Sequence, residues 1–161
     1  MSLSDALLLT LILLAALGCG LMGGLFFAFS NFVMHALGRL SPANGIAAMQ
    51  SINLMVLNPL FLSVFMGTSV ACLLLIVYAL VRWSAPGTLL LTAGSGLFLL
   101  GNFVVTMLCN VPRNELLARV EVDSDEAQGL WQEYLRDWTR WNHVRTVTAL
   151  GAAALLILAV R

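Results

Sequence analysis

Long apolar stretches set the strongest constraint on how this chain can fold. Of its 161 residues, 60% are hydrophobic and 10% are charged, whereas a soluble domain carries about 25% charged residues. A helix that crosses a bilayer needs about 20 consecutive, mostly apolar residues. The sequence therefore predicts one integral membrane domain over residues 1–161, with spans at about 6–37, 59–81, 87–109 and 141–160.

The first apolar stretch lies where a secretory signal peptide would lie. However, it has no basic segment before it, and its apolar run is longer than that of a signal peptide. We therefore expect it to be kept as a membrane helix.

The connections between the predicted spans differ in length and in structure. Residues 84–87 form a tight turn between the second and third spans. Ser41 followed by Pro42 is typical of a helix start, and apolar residues recur every three or four positions over residues 46–56. This pattern predicts a short amphipathic helix that lies against the membrane surface or re-enters the membrane slightly, and that ends before Asn58.

Most of the charge lies between the third and fourth spans. Residues 110–140 hold seven of the eight acidic residues and four of the eight arginines. The Asp-Ser-Asp-Glu segment at 123–126 can cap a helix, and helical spacing then continues to the last residue. The predicted fold is all-α: a four-helix transmembrane bundle with a short amphipathic helix between helices 1 and 2 and a long last helix that extends out of the membrane.

Four spans place both ends of the chain on one membrane face and the two long connections on the other. The zero net charge gives no indication of a nucleic-acid partner. By the positive-inside rule, we expect the long-connection face to be cytoplasmic. That face carries Arg39, Arg113, Arg119, Arg136 and Arg140, whereas the terminal face carries Arg82 and Arg161.

Polar residues recur where the spans meet the long-connection face. A polar side chain in or beside a bilayer costs free energy unless it is paired or hydrated, so such residues are candidates for function. Amides, an imidazole, a guanidinium and aromatic rings would form a pocket for a flat, lipid-soluble molecule. The predicted binding residues are Asn31, Asn58, Asn110, Asn114, Trp138, Trp141 and Asn142, and the predicted catalytic residues are His35 and Arg145.

His35 is predicted as a general base or acid because its imidazole titrates near neutrality. Each candidate residue also has a structural interpretation. Asparagines in membrane helices hydrogen-bond to neighbouring helices, Trp138 and Trp141 fit an interfacial aromatic belt, and Arg145 can extend to lipid phosphates.

Four glycines in the first span, Gly18, Gly20, Gly23 and Gly24, fit close helix packing. Gly20 and Gly24 match the small-xxx-small spacing found at helix interfaces in membranes. We therefore expect neighbouring helices to approach the first span closely along this stretch.

We expect no cofactor, with haem or copper as the competing interpretation. The sequence has no His pair at i and i+4, no His-x-x-Glu and no Cys-x-x-Cys. The expected partners are a lipophilic small molecule and membrane lipids, and a homo-oligomer is an open alternative. Imidazole and thioether ligands for a metal would come from Met34, His35, Met49, Met55 and His143.

Four motifs resemble those of the anthrone oxygenase-like membrane family. They are the run at 24–35, the Asn-Pro start of helix 2 at 58–59, Asn-Val-Pro-x-Asn at 110–114, and Trp-x-x-Trp-Asn-x-x-Arg-Thr at 138–146. The resemblance covers nearly the whole chain and implies a protein of the bacterial inner membrane. Characterised fungal members of that family are implicated in oxidising polyketide anthrones to anthraquinones.

The resemblance implies a membrane-embedded, cofactor-independent monooxygenase that acts on an anthrone-like or quinone-like molecule. An anthrone has an acidic methylene and a carbonyl, so His35 would take the proton and Arg145 would stabilise the oxyanion together with Asn110, Asn114 and Asn142. The carbanion would then react with dioxygen. The alternative is a non-enzymatic membrane protein that binds a lipid, quinone, haem or metal, or a structural or partner-binding bundle.

Overall fold

Five helices make up the part of the chain that the structure, a computed structural model, describes: residues 2–122, 124 and 126–160. No strand occurs in these residues, so the all-α prediction is confirmed. Three of the helices, at Leu3–Leu37, Pro59–Val81 and Thr88–Ala118, are long and apolar enough to cross a membrane. The helices are α1 at Leu3–Leu37, α2 at Pro42–Met55, α3 at Pro59–Val81, α4 at Thr88–Ala118 and α5 at Ala127–Leu158.

The sequence located the helix starts well. Asn58 begins α3: its Oδ1 accepts a hydrogen bond from the Phe61 amide at 3.0 Å, and its Nδ2 donates to the Met55 carbonyl at 2.9 Å. Such a cap satisfies an amide that has no partner within the helix. At the start of α5, Glu126 makes no capping hydrogen bond, and the predicted caps Asp123 and Asp125 lie outside the described residues.

α4 is longer than the sequence predicted. The third span was expected to end at residue 109 and a charged loop to follow, but the helix continues to Ala118. Pro112 does not end it, because two π-helical segments, Leu99–Val104 and Thr106–Asn110, precede the proline. A π turn shifts the hydrogen-bond ladder by one residue, and the Arg113 side chain donates to the Cys109 carbonyl.

The turn between α3 and α4 contacts the far end of α5. Gly87 has φ 81°, a left-handed conformation that favours glycine. A Cβ at this position would lie 2.8 Å from the Ala159 carbonyl oxygen. The close approach places the last turn of α5 beside the α3–α4 turn, so α5 runs the full length of its neighbours.

Two hydrophobic clusters hold the helices together. The larger one lies among α1, α3, α4 and α5, and the smaller one lies where α2 packs on the outer parts of α4 and α5. The predicted short helix therefore exists, with one side buried against the protein. The larger cluster includes Cys19, Cys72, Phe98 and Leu156, and the smaller one includes Ile46, Met49, Leu117 and Trp131.

The predicted glycine contacts are correct at two of four positions. A Cβ on Gly18 would meet the Thr68 side chain, and a Cβ on Gly23 would lie 2.7 Å from Leu150 Cδ2. Gly20 and Gly24 would meet no described atom within 4 Å. The prediction is wrong for these two within this chain, because they lie on the outer side of α1.

Replacing Gly23 by alanine should destabilise the fold. Its Cβ would lie 2.7 Å from the Leu150 side chain and 3.3 Å from the Leu150 backbone nitrogen, and overpacking of this kind costs about 1–3 kcal/mol. Gly24→Ala, at the next residue, is the matched control and should be neutral or slightly stabilising. Thermal unfolding in detergent measures both variants, and equal midpoints would contradict the packing described above.

Candidate functional site

A cavity of about 110 Å³ lies where α2 covers the ends of the other four helices. Aromatic and aliphatic side chains form most of its wall, and a few polar side chains interrupt them. This composition is typical of sites for small organic ligands. The polar residues are Asn53, Thr106, Asn110, Asn114 and Arg145, and the aromatic ones are Phe26, Phe29, Phe61 and Trp138.

Arg145 places a buried positive charge at this cavity. The residue is 5% exposed, and none of the described carboxylates lies within ion-pair distance of it. Its guanidinium carbon lies 4.3 Å from the centre of the Phe26 ring and 5.1 Å from that of Trp138. Cation–π contacts are worth about 2 kcal/mol when desolvated, whereas burying an ion costs several kcal/mol. The rings therefore offset only part of the cost.

Hydrogen bonds fix the guanidinium from one side. Nη2 donates to Asn142 Oδ1 at 2.7 Å and Nη1 donates to Thr106 Oγ1 at 3.3 Å. The Nδ2 of Asn142 also has its partners, because it donates to the Phe26 carbonyl and to Ser30 Oγ, both at 2.7 Å. Asn142 thus supports Arg145 rather than the cavity, while the Nε of Arg145 has no partner among the described residues.

A second set of hydrogen bonds holds Trp138 in place. Asn114 Oδ1 accepts from Trp138 Nε1 at 2.9 Å and from the Tyr134 hydroxyl at 2.8 Å. Asn53 of α2 donates to the same hydroxyl at 3.5 Å. Burial raises the pKa of Tyr134 well above its ordinary value, so the phenol stays a protonated donor at neutral pH. Asn114 therefore orients the ring that faces Arg145.

Asn110 leaves an acceptor without a partner. Its Nδ2 donates to the Trp138 carbonyl at 3.3 Å, but the buried Oδ1 accepts no hydrogen bond from the described residues. Buried polar groups nearly always have partners, so an orphan group needs an explanation. Arg145 and Asn110 line the same cavity, and each has one such atom. A ligand that carries both an acceptor and a donor suits this arrangement.

The π-helical segments lie beside this polar network. Phe29–Val33 contributes Ser30, and Thr106–Asn110 contributes both of its terminal residues. π turns inside α-helices occur frequently at functional sites. They shift side chains around the helix axis relative to a regular α-helix, so the sequence periodicity did not reveal which residues face inward.

The structure brings together five of the nine predicted site residues. Asn110, Asn114, Trp138 and Arg145 line the cavity, and Asn142 lies behind Arg145. The other four lie elsewhere: Asn58 is the cap of α3, Asn31 and His35 are exposed on α1, and Trp141 is half-buried outside the cavity wall.

His35 does not share the cavity of Arg145, contrary to expectation. It lines a separate, open cavity between α1 and α5, with Gln132 and Arg136 on the opposite side. The side chains of His35 and Arg145 are separated because His35 lies on the outer side of α1. Ser30 is buried in the bundle, whereas Asn31 and His35 are exposed. The expected meeting of imidazole and guanidinium is therefore wrong.

Some residues of the site were missed by the sequence reasoning. Phe26 lines the cavity but is not among the predicted site residues, and its neighbour Phe27 is exposed. Tyr134 and Asn53 are also absent from the predicted residues. The heptad-like spacing of Tyr134, Trp138 and Arg145 was the one pattern that could have indicated a shared face.

Metal-binding side chains do not cluster in the described residues. No group of three or more His, Cys, Asp or Glu side chains is placed there to hold a metal ion. The haem or copper alternative, which uses methionines as well, stays a prediction.

The chain was compared with known protein families, and one family model matches it. A family model described as Anthrone oxygenase matches residues 60–155, which is more than half of the chain. The matched region contains α3, α4 and most of α5, including Asn110, Asn114 and Arg145. Comparison with the curated proteins and comparison with the solved structures gave no match.

Asn114→Leu should destabilise the protein. The substitution leaves the Trp138 indole N–H and the Tyr134 hydroxyl without an acceptor, and each unpaired buried group costs about 1–3 kcal/mol. The control is Asn31→Leu, the same change at an exposed position of α1. Chemical unfolding followed by tryptophan fluorescence compares the two variants, and a midpoint for Asn114→Leu equal to that of the control would refute this role.

Proposed function

The chain belongs to the anthrone oxygenase family, and on that premise we propose that it is a membrane-embedded oxygenase. Its proposed substrate is a lipophilic aromatic molecule of the anthrone or quinone type, bound in the Arg145 cavity, which would have to widen beyond its volume of about 110 Å³ to admit fused rings. The observation that carries this proposal is the buried guanidinium, which has no carboxylate partner among the described residues and faces aromatic rings. A fixed cation in an apolar cavity favours a ligand that becomes an anion.

The proposed reaction begins with loss of a proton from the methylene carbon of the anthrone. The negative charge moves onto the carbonyl oxygen, where Arg145 stabilises it, and the proton leaves to water. The carbanion then bonds to dioxygen, and protonation gives a hydroperoxide. Loss of water from the hydroperoxide forms the second carbonyl. One oxygen atom enters the product and the other leaves as water, so the step needs no external reductant.

Each residue of the cavity would have its own role in the proposed reaction. Arg145 supplies the charge, and Asn142 and Thr106 hold it in position before the substrate arrives. Preorganised donors of this kind pay no reorganisation cost when charge develops. The free Oδ1 of Asn110 would accept a hydrogen bond from a phenolic hydroxyl of the substrate. Phe26 and Trp138 would stack against its flat ring system.

Arg145→Met should lower turnover about 10²–10³-fold, which is the usual cost of removing one oxyanion donor. Oxygen uptake by purified protein with an anthrone, together with anthraquinone absorbance, measures the rate. Arg140→Met is the matched control: the same change on the same helix at an exposed position. Wild-type turnover by Arg145→Met would eliminate the proposed mechanism.

In the same assay, the variant His35→Ala tests which of the two cavities is the site of the reaction. Because His35 lines the open cavity outside the Arg145 site, the variant should keep the wild-type rate. A loss as large as that of Arg145→Met would instead support the histidine as the base. Anthrone binding without oxygen uptake by the wild type would favour the non-enzymatic alternative.

We propose further that α5 crosses the membrane beside α1, α3 and α4, which makes four spans. Its mean hydropathy does not place it among the three candidate spans, because it carries buried polar residues such as Asn142 and Arg145. Its outward residues are apolar from Val144 to Leu158, so lipid would meet an apolar surface. The contact between Gly87 and Ala159 also supports a full crossing.

Cysteine accessibility tests this topology and the proposed orientation, with the long connections in the cytoplasm of a bacterial inner membrane. In a Cys109→Ser background, Ser84→Cys and Val160→Cys should react with an impermeant maleimide added to whole cells. Ser124→Cys should react only after the membrane is permeabilised. Labelling of Val160→Cys together with Ser124→Cys, and not with Ser84→Cys, would indicate three spans instead of four.

A further inference from the structure

We propose that the open cavity between the end of α1 and the first half of α5 binds the phosphate group of an anionic phospholipid. The cavity has a volume of about 370 Å³ and is separate from the Arg145 cavity. Most of the polar side chains in its wall are hydrogen-bond donors. It is lined by Met34, His35, Gly38, Arg39, Gln132, Leu135, Arg136 and Thr139.

The position of this cavity matches the headgroup layer. On α1 the exposed large apolar side chains of the span end at Phe32, which is 58% exposed, and the exposed polar residues His35 and Arg39 follow. On α5 the exposed side chains are apolar from Val144 onward and polar before it, starting with His143. The hydrocarbon core of a bilayer is about 30 Å thick and the headgroups lie directly outside it. The cavity therefore opens just beyond the apolar band.

The charges in the cavity favour an anion. Arg39 makes no ion pair with a described residue, and Arg136 pairs with Asp137 through Nε and Nη2, which leaves its Nη1 free. The end of α1 carries about half a negative charge from its carbonyl groups, which is less than the charge of Arg39 alone. Basic pockets between membrane helices bind lipid headgroups for this reason.

The surface beside the cavity suits an acyl chain. Phe32 and His35 are both exposed on the last turns of α1, and the exposed Arg39 follows in the turn after it. A phospholipid with its phosphate at Arg39 would place a chain against Phe32 and the apolar residues below it. A free phosphate ion would leave this apolar surface unused, and for that reason we infer a lipid.

The test compares the retention of two lipids by the full-length protein. Native mass spectrometry from micelles with equal phosphatidylglycerol and phosphatidylcholine should detect bound phosphatidylglycerol in excess. Arg39→Gln/Arg136→Gln should bind phosphatidylglycerol about 25-fold more weakly, because each arginine near the membrane surface contributes roughly fivefold. The control, Arg119→Gln/Arg140→Gln, removes the same charge from the same face outside the cavity and should retain the lipid.

Three results would overturn this inference. Equal retention of both lipids by the wild type would show that the cavity does not select a lipid by its negative charge. Equal loss in the control variant would indicate a diffuse surface attraction. Inorganic phosphate that raises the unfolding midpoint as much as phosphatidylglycerol would indicate a site for a free ion. Because all four arginines are exposed, the lipid-free variants should unfold at the wild-type midpoint, which keeps misfolding from imitating a loss of lipid.

Discussion

The architecture around the Arg145 cavity depends on a guanidinium buried without a counter-ion among the described residues. Desolvating such a charge costs several kcal/mol, and the protein offsets this cost with two aromatic rings, one amide and one hydroxyl. Each of these partners needs its own support. Asn142 anchors to α1 through Phe26 and Ser30, so one charge ties α1, α4 and α5 together at the same level of the bundle.

The same constraint accounts for the irregular helices and for the position of α2. Two of the three π-helical segments in the described residues, Phe29–Val33 and Thr106–Asn110, contribute polar side chains to the network. α2 then covers one side of the cavity, and Gln50 and Asn53 hydrogen-bond it to the α4 end and to Tyr134. Because Arg145 is buried, its charge acts through a medium of lower dielectric constant than bulk water. A substrate of the proposed type would meet a charge that is already oriented.

Two cavities at one end of the bundle use arginine in different ways. Inside the bundle, Arg145 is buried and held by aromatic rings, an amide and a hydroxyl, and we propose that it acts on a bound molecule. Outside, Arg39 and Arg136 are exposed beside the headgroup layer, where a charge costs little and can attract phosphate. Burial separates these roles: the same side chain favours a reacting oxyanion when desolvated and a permanent lipid anion when hydrated.

The sequence by itself determined the helices, the membrane character and the kinds of side chain available, because long apolar runs have few alternatives to spanning helices. The predicted topology also placed Asn110, Asn114 and Arg145 at the same membrane face. Only the tertiary structure decided which side of each helix faces inward. Phe26 and Ser30 point into the bundle while Phe27, Asn31 and His35 are exposed. A π turn adds a residue to one turn and rotates the part of the helix that follows it, so regular helical spacing does not relate the residues on its two sides. The sequence likewise could not decide whether the Asn58 amide caps a helix or binds a ligand, because an asparagine amide can do either. The neighbours of Asn58 in the fold decide it: the amide caps α3.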